Sequence, residues 1–61
     1  MNRHFLNVFE TASGWKVNVW DGGTVTMCEW NDEKKDYVDR VFATKEVAEE
    51  AGKAYNDMWK D

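Results

Sequence analysis

The sequence predicts an α+β fold in which a three- to four-stranded antiparallel sheet is followed by one C-terminal helix, packed on one face of the sheet. Two observations lead to this prediction. Apolar and polar residues alternate along the first half of the chain, with turn residues between the runs. From Lys45 onward the apolar residues instead recur at helical spacing, and the chain contains no proline. The 61 residues suffice for a single domain spanning 1–61.

Three strands are predicted over residues 4–10, 15–20 and 24–30, where β-branched and aromatic residues are frequent. Turn residues separate them at 11–14 and at 21–23. The second of these turns, Asp-Gly-Gly, is typical of a β-hairpin because glycine tolerates a positive φ angle. The first three strands should therefore form an antiparallel meander.

A fourth strand is predicted as a possible edge strand over residues 36–42, after a polar loop at 31–35. Asp39 and Arg40 lie in its middle, and charged residues on an edge strand discourage further pairing.

The pattern predicts a helix over residues 45–60. Thr44 is a suitable N-cap, and Glu46 in the first turn interacts favourably with the helix dipole. The apolar stripe of this helix contains Val47, Ala48, Ala51, Ala54, Tyr55, Met58 and Trp59. Gly52 borders the stripe, which indicates a close approach of helix and sheet.

The register should match apolar faces on neighbouring strands. The expected pairs are Val8 with Val17, Leu6 with Val19, Val19 with Val25 and Val17 with Met27. These residues form the face that the helix covers.

The opposite face of the sheet has no predicted covering element, because one helix covers one face only. It carries the aromatic residues Phe5, Phe9, Trp20 and Trp30, with Lys16 as its charged member. Large rings provide contact area at low entropic cost and are enriched at binding hot spots. These five residues are therefore the predicted partner-binding surface. Two alternatives weigh against such a surface: strong sheet twist, the N-terminal residues and the loop at 31–35 cover part of it, or the register differs by one residue.

The helix exterior is acidic and forms a second, weaker candidate site. Its residues Glu46, Glu49, Glu50 and Asp57 could imitate a row of phosphates. The favoured alternative is a solvated helix surface with charge pairs such as Glu49 with Lys53.

Catalytic and metal sites are not expected. A cysteine–histidine nucleophile needs the two side chains adjacent, whereas His4 begins the first strand and Cys28 lies on the third. One cysteine and one histidine cannot fill a four-ligand zinc site. No nucleotide-binding signature occurs, so no cofactor is expected.

The chain has no signal-peptide pattern and no apolar run long enough to span a bilayer, and its lone cysteine fits a reducing cytoplasm.

Two short segments resemble the arm-type DNA-binding domains of tyrosine recombinases. These are Gly-Trp-Lys-Val at residues 14–17 and Val-Phe-Ala-Thr-Lys-Glu-Val-Ala at residues 41–48. The likeness covers roughly residues 14–59 and implies a βββα architecture. It also implies a sheet that reads DNA with basic and polar side chains. The comparable strands here carry Lys16, Asn18 and Arg40 among several acidic residues, and no binding residue is carried over.

These observations favour a small, non-enzymatic, cytoplasmic interaction protein that docks its aromatic sheet face onto a protein partner or onto a second copy of itself. Its size is typical of accessory inhibitors from phages and other mobile elements, which block a host protein or a defence complex. The alternative is a nucleic-acid-binding domain that uses the same rings as stacking platforms. The net charge of −4 opposes attraction to phosphate backbones or anionic membranes.

Overall fold

The computed structural model describes residues 3–59 and confirms the α+β class. Its elements are β1 (Arg3–Thr11), β2 (Gly14–Asp21), β3 (Thr24–Thr26), β4 (Cys28–Asn31), β5 (Asp36–Asp39) and α1 (Lys45–Met58). The first three strands form one antiparallel sheet in the order β1-β2-β3, and β4 and β5 form a separate two-stranded hairpin. The predicted end of the helix at Lys60 lies outside the described residues.

A β-bulge in β1 changes which aromatic residue lies under the helix. Val8 pairs with Val17 as predicted, but Phe5 rather than Leu6 pairs with Val19, because the register shifts between Phe5 and Asn7. One extra residue in a strand turns every side chain beyond it to the other face. Leu6 is consequently exposed, and the predicted pairing of Leu6 with Val19 is wrong.

The predicted third strand over residues 24–30 is interrupted at Met27. Val19 pairs with Val25 as expected, and the Met27 N–H donates to the Val17 carbonyl at 2.8 Å. The Met27 carbonyl, however, accepts from the Arg40 N–H at 2.9 Å. The chain therefore leaves β2 at Met27 and continues as β4, which pairs with β5.

The segment that leads into the helix explains this interruption. Trp15 and Phe42 form an isolated antiparallel bridge, with N–H to carbonyl distances of 2.9 and 2.7 Å, so Phe42 occupies the part of the β2 edge beside Trp15. The predicted strand at 36–42 accordingly ends at Asp39. Gly14 permits this close approach. Its φ angle is 134°, and a Cβ atom there would lie 2.7 Å from Val41 Cγ1 and 2.8 Å from the Phe42 oxygen.

The core lies between α1 and the first two strands. Val17, Val19, Phe42 and Ala48 are buried, and the helix packs on β1 and β2 with little contact to β3. Thr44 caps the helix as predicted, since its Oγ1 accepts from the Val47 N–H at 3.2 Å.

The helix contacts the sheet through only part of the predicted stripe, together with Gly52 at its border. Ala48 and Gly52 are buried, and Ala51 and Tyr55 are half-buried, whereas the other members of the predicted stripe are exposed: Val47, Ala54, Met58 and Trp59. The reason is the ring of Phe5, which lies against the backbone of Gly52 and draws that side of the helix towards β1. Within residues 3–59, no helix has the length and apolar character needed to cross a membrane.

Candidate functional site

The open face of the molecule is the side of the β1-β2-β3 sheet that faces away from α1. Val17 and Val19 point to the helix, so the alternating residues Lys16, Asn18 and Trp20 point to the open face. Trp20 and Trp30 are exposed, as predicted. Phe9 pairs with Lys16, shares its face and is half-buried.

Phe5 does not belong to this surface. The prediction that it lies on the open face is wrong, because the bulge at Leu6 turns it under the helix, where its ring meets Gly52 and packs against the buried core. His4, the neighbouring residue, takes the place on the open face that a regular register would have given to Phe5.

The first exposed aromatic pair consists of His4 and Trp20. The two residues are directly opposite each other in β1 and β2. Their rings stack, with centroids 6.4 Å apart and an interplanar angle of 24°. The imidazole and the indole thus form one aromatic cluster on the open face.

The second exposed aromatic pair consists of Trp30 and Tyr37 on the β4-β5 hairpin. They are opposite each other in the register, and their rings meet edge to face with centroids 5.3 Å apart. The indole Nε1 donates to Asp32 Oδ1 at 2.8 Å, which holds the Trp30 ring in place. Trp30 is 51% exposed and Tyr37 65% exposed, so both rings offer much of their area to a partner.

A polar band separates the two aromatic pairs. The Thr26 hydroxyl donates to Asn18 Oδ1 at 3.3 Å. Lys16 Nζ lies 3.0 Å from Asp39 Oδ2, and this ion pair joins the sheet to the hairpin. Lys16 is thus on the predicted surface, but its charge is balanced by a carboxylate. The open face is therefore two aromatic pairs around a neutral polar centre, rather than one continuous aromatic surface.

Sequence reasoning missed Tyr37 and Asp39 as members of this face. The signal that could have found them is the loop at 31–35. Had Asn31 been paired with Asp36 across a four-residue turn, Trp30 would have stood opposite Tyr37 and Cys28 opposite Asp39, as they do here. The interruption at Met27, which brings Asp39 to Lys16, leaves no such signal in the sequence.

On the helix side, Arg3 connects β1 to the end of α1. Its Nε donates to Asp21 Oδ1 at 2.7 Å, and its guanidinium carbon lies 4.1 Å from the centre of the Trp59 ring. Tyr55 lies beside this group. Burial raises the pKa of the Tyr55 phenol above its ordinary value, the Asp21 carboxylate raises it further, and Arg3 lowers it.

Three of the four acidic helix residues are exposed, and the fourth is not. Glu46, Glu50 and Asp57 are exposed, and Glu49 is half-buried. Three ion pairs are present among residues 3–59, and the expected pair of Glu49 with Lys53 is not one of them.

His4 and Cys28 lie in different surroundings. His4 stacks on Trp20, whereas Cys28 is exposed and pairs with Asp39. Across residues 3–59, no group of His, Cys, Asp and Glu side chains is arranged to hold a metal ion, and no pocket is found.

Comparisons of the chain with protein-family models, with curated protein sequences and with solved structures gave no match. The resemblance to the arm-type domains of tyrosine recombinases therefore stays a prediction.

Proposed function

We propose that this chain is a small, non-enzymatic protein-interaction module that docks the open face of its sheet onto a partner protein. The observation that carries the proposal is the presence of two exposed aromatic pairs, His4 with Trp20 and Trp30 with Tyr37, on the side that the helix leaves uncovered. Their members come from strands rather than from flexible loops. Exposed clusters of this kind, with polar surroundings, are typical of protein interfaces.

The fixed orientation of these rings supports the proposal. Trp30 is held by Asp32 through its Nε1 and by the edge of Tyr37, so its side chain loses little freedom when a partner covers it. A pre-ordered aromatic group binds at a lower entropic cost than a mobile one. Trp30 and Trp20 are the expected anchors, and the polar band between them would meet complementary polar groups of the partner.

The charge distribution favours a protein over a nucleic acid as the partner. Lys16, the basic residue at the centre of the open face, is paired with Asp39. The whole chain carries a net charge of −4. Binding to nucleic acid depends largely on lysine and arginine side chains that neutralise phosphates. The alternative function, stacking of bases on Trp20, Trp30 and Phe9 beside Lys16, would have to proceed with little such neutralisation.

An inhibitory role is the finer form of this proposal. In this form the chain would act by occupying a surface that its partner needs, as the accessory inhibitors of phages and mobile elements do. The acidic residues Glu46, Glu50 and Asp57 lie on the helix, on the opposite side of the sheet from the open face, so they take no part in this docking surface.

The test is a double substitution, Trp20→Ala with Trp30→Ala, compared with the wild-type chain and with Met58→Ala. Met58 is 70% exposed and lies on the helix, away from the open face, so it is a matched apolar control. Each chain is immobilised and used to capture proteins from a lysate of the source cells, and the captured partner is then titrated. We expect the double variant to remain folded by circular dichroism and to bind roughly a hundredfold more weakly. Met58→Ala should bind like the wild type.

Equal binding by the double variant would contradict the use of the open face. A salt titration with single- and double-stranded oligonucleotides distinguishes the alternative function. Binding that falls steeply with salt would support nucleic-acid recognition, and no binding at low salt would exclude it.

A further inference from the structure

β3 and β4 form one bent strand with a single free edge along residues 24–31. Both polar backbone groups of Met27 point to the same side, the N–H to β2 and the carbonyl to Arg40 beside β5. Backbone groups alternate between the two edges of a strand. Those of Thr24, Thr26, Cys28 and Trp30 therefore point to the other side, where no described residue accepts from or donates to them.

The two other outer edges within residues 3–59 are protected against pairing. β1 contains the bulge at Leu6, and the Phe5 N–H donates to Asn56 Oδ1 of the helix at 2.7 Å. On β5, the Tyr37 N–H donates to the carboxylate of Asp36 at 2.8 Å. Bulges, covering side chains and charges are the usual means by which proteins prevent edge-to-edge association.

The edge of β3 is short and bends at Met27, but it carries no covering side chain and no charge. Residues 24–28, Thr-Val-Thr-Met-Cys, contain no charge and no proline. Val25 is 46% exposed on the helix side, because α1 covers β1 and β2 and has little contact with β3. An uncharged edge strand with an uncovered apolar side chain is a template for an added strand.

We propose that this edge binds the same edge of a second copy of the chain, as an antiparallel pair centred on Thr26. In this register Thr26 faces Thr26 of the second copy, Val25 faces Met27, and Thr24 faces Cys28. The pairing joins apolar to apolar on the helix side and polar to polar on the open side, and it brings no like charges into opposition. An uncharged edge has no group that would attract a charged peptide. The same edge of a second copy, in contrast, matches it in polarity on both faces.

The dimer has two-fold symmetry about an axis perpendicular to the sheet. Both helices lie on one side of a continuous six-stranded sheet, and both open faces lie on the other. The pairing uses a strand edge and not the aromatic pairs, so it can succeed or fail independently of the proposed function. If the dimer and the proposed function are both correct, one dimer presents two adjacent open faces. A partner with two binding sites then binds the dimer more tightly than it binds a single copy.

The first test measures the oligomeric state by sedimentation equilibrium, for the wild type and for Thr26→Pro. Proline removes the N–H that points outward and leaves the bonds to β2 intact. Because Thr26 lies opposite Thr26 of the second copy, the substitution deletes two intermolecular hydrogen bonds. We expect a wild-type mass of twice the 7.2 kDa chain. Dimerisation of the variant should weaken about tenfold or more. The matched control is Glu10→Pro on the protected edge of β1, where the dimer should persist.

A cross-link keeps the test decisive if Thr26→Pro does not fold. Thr24→Cys places a thiol opposite Cys28 of the second copy, at about 5.5 Å between Cα atoms, a separation that a disulfide can bridge. We expect a covalent dimer under mild oxidation. Two controls should give no covalent dimer. In the wild type, the two Cys28 residues would be four positions apart along the pair. In the second control, Thr24→Cys is combined with Cys28→Ser, which removes the opposing thiol.

Three outcomes would each overturn the proposal. These are a wild type that is monomeric at millimolar concentration, larger open-ended assemblies, and a wild-type dimer whose Thr24→Cys variant gives no cross-link.

Discussion

At the scale of single residues, Gly52 determines how closely the helix approaches the sheet. The sequence indicated a close approach at this position, and the structure shows its partner, the ring of Phe5. A Cβ atom on residue 52 would lie 2.6 Å from Cε1 and 2.7 Å from Cγ of that ring. Because Cγ is attached close to the backbone of β1, the ring moves away only by a change of the Phe5 χ1 angle or a shift of the strand.

We therefore predict that Gly52→Ala destabilises the fold even though alanine is the better helix former. Alanine gains about 1 kcal/mol in helix propensity, while overpacking against Phe5 costs about 1–3 kcal/mol. The free energy of unfolding, from urea titration, should fall. Adding Phe5→Leu to Gly52→Ala should recover part of the loss. An increase in stability on Gly52→Ala alone would show that the ring is free to move.

Tyr55 makes the stability of the fold sensitive to alkaline pH. Burial and the Asp21 carboxylate raise the pKa of its phenol in the folded state, so the folded protein holds this proton more tightly than the unfolded chain does. Its contribution is complete below the ordinary tyrosine pKa of about 10 and is lost as the pH rises through the higher folded value.

The measurement is an absorbance titration near 295 nm. The chain has two tyrosines, so Tyr37→Phe isolates the signal of Tyr55. We expect its midpoint to lie at higher pH in the folded protein than in the same variant unfolded in urea. Coincident midpoints would contradict the burial of this phenol.

At the scale of elements, the β4-β5 hairpin is the least supported part of the molecule. The two strands contact each other and have little contact with the helix or with β1 and β2. Isolated two-stranded hairpins are marginally stable in water. The contacts that hold this one are the Trp30 and Tyr37 pair, the ion pair of Lys16 with Asp39, and the backbone bond at Met27.

We predict that the hairpin opens locally while the rest of the sheet stays closed. Amide protons of Glu29 and Val38 should exchange with solvent at least about tenfold faster than that of Val19, which pairs with Val25 and is buried under the helix. Hydrogen exchange followed by NMR makes this comparison within one sample. Equal protection would show that the hairpin and the sheet unfold as one cooperative unit.

The elements also show how much of the fold was predictable from sequence. The first hairpin, the second turn and the start of the helix were predicted because each depends on local signals: alternation, glycine and an N-cap. The bulge at Leu6 and the interruption at Met27 were not, because each depends on a distant residue, Gly52 in the first case and Phe42 in the second. The open face shows the same division, since Trp20 and Trp30 are exposed as predicted while Phe5 lies on the opposite side, under the helix.

At the scale of the whole molecule, a short chain covers only part of its apolar surface. The helix extends over two of the three strands of the main sheet, and its residues Val47, Ala54 and Met58 remain exposed alongside Val25 of β3. One helix cannot cover both faces of a sheet, as the sequence predicts. The uncovered area is larger than predicted, since part of the helix-facing side is also open.

Met27 joins the two parts of the molecule through adjacent backbone groups, so its torsion angles set the distance between the Trp20 and Trp30 rings. A rotation there would change that spacing while leaving each aromatic pair intact. A partner that contacts both rings would thus recognise the distance between them as well as their aromatic character. Insertion of one residue beside Met27 would invert the hairpin, turning Trp30 and Tyr37 towards the helix side while Trp20 stayed where it is.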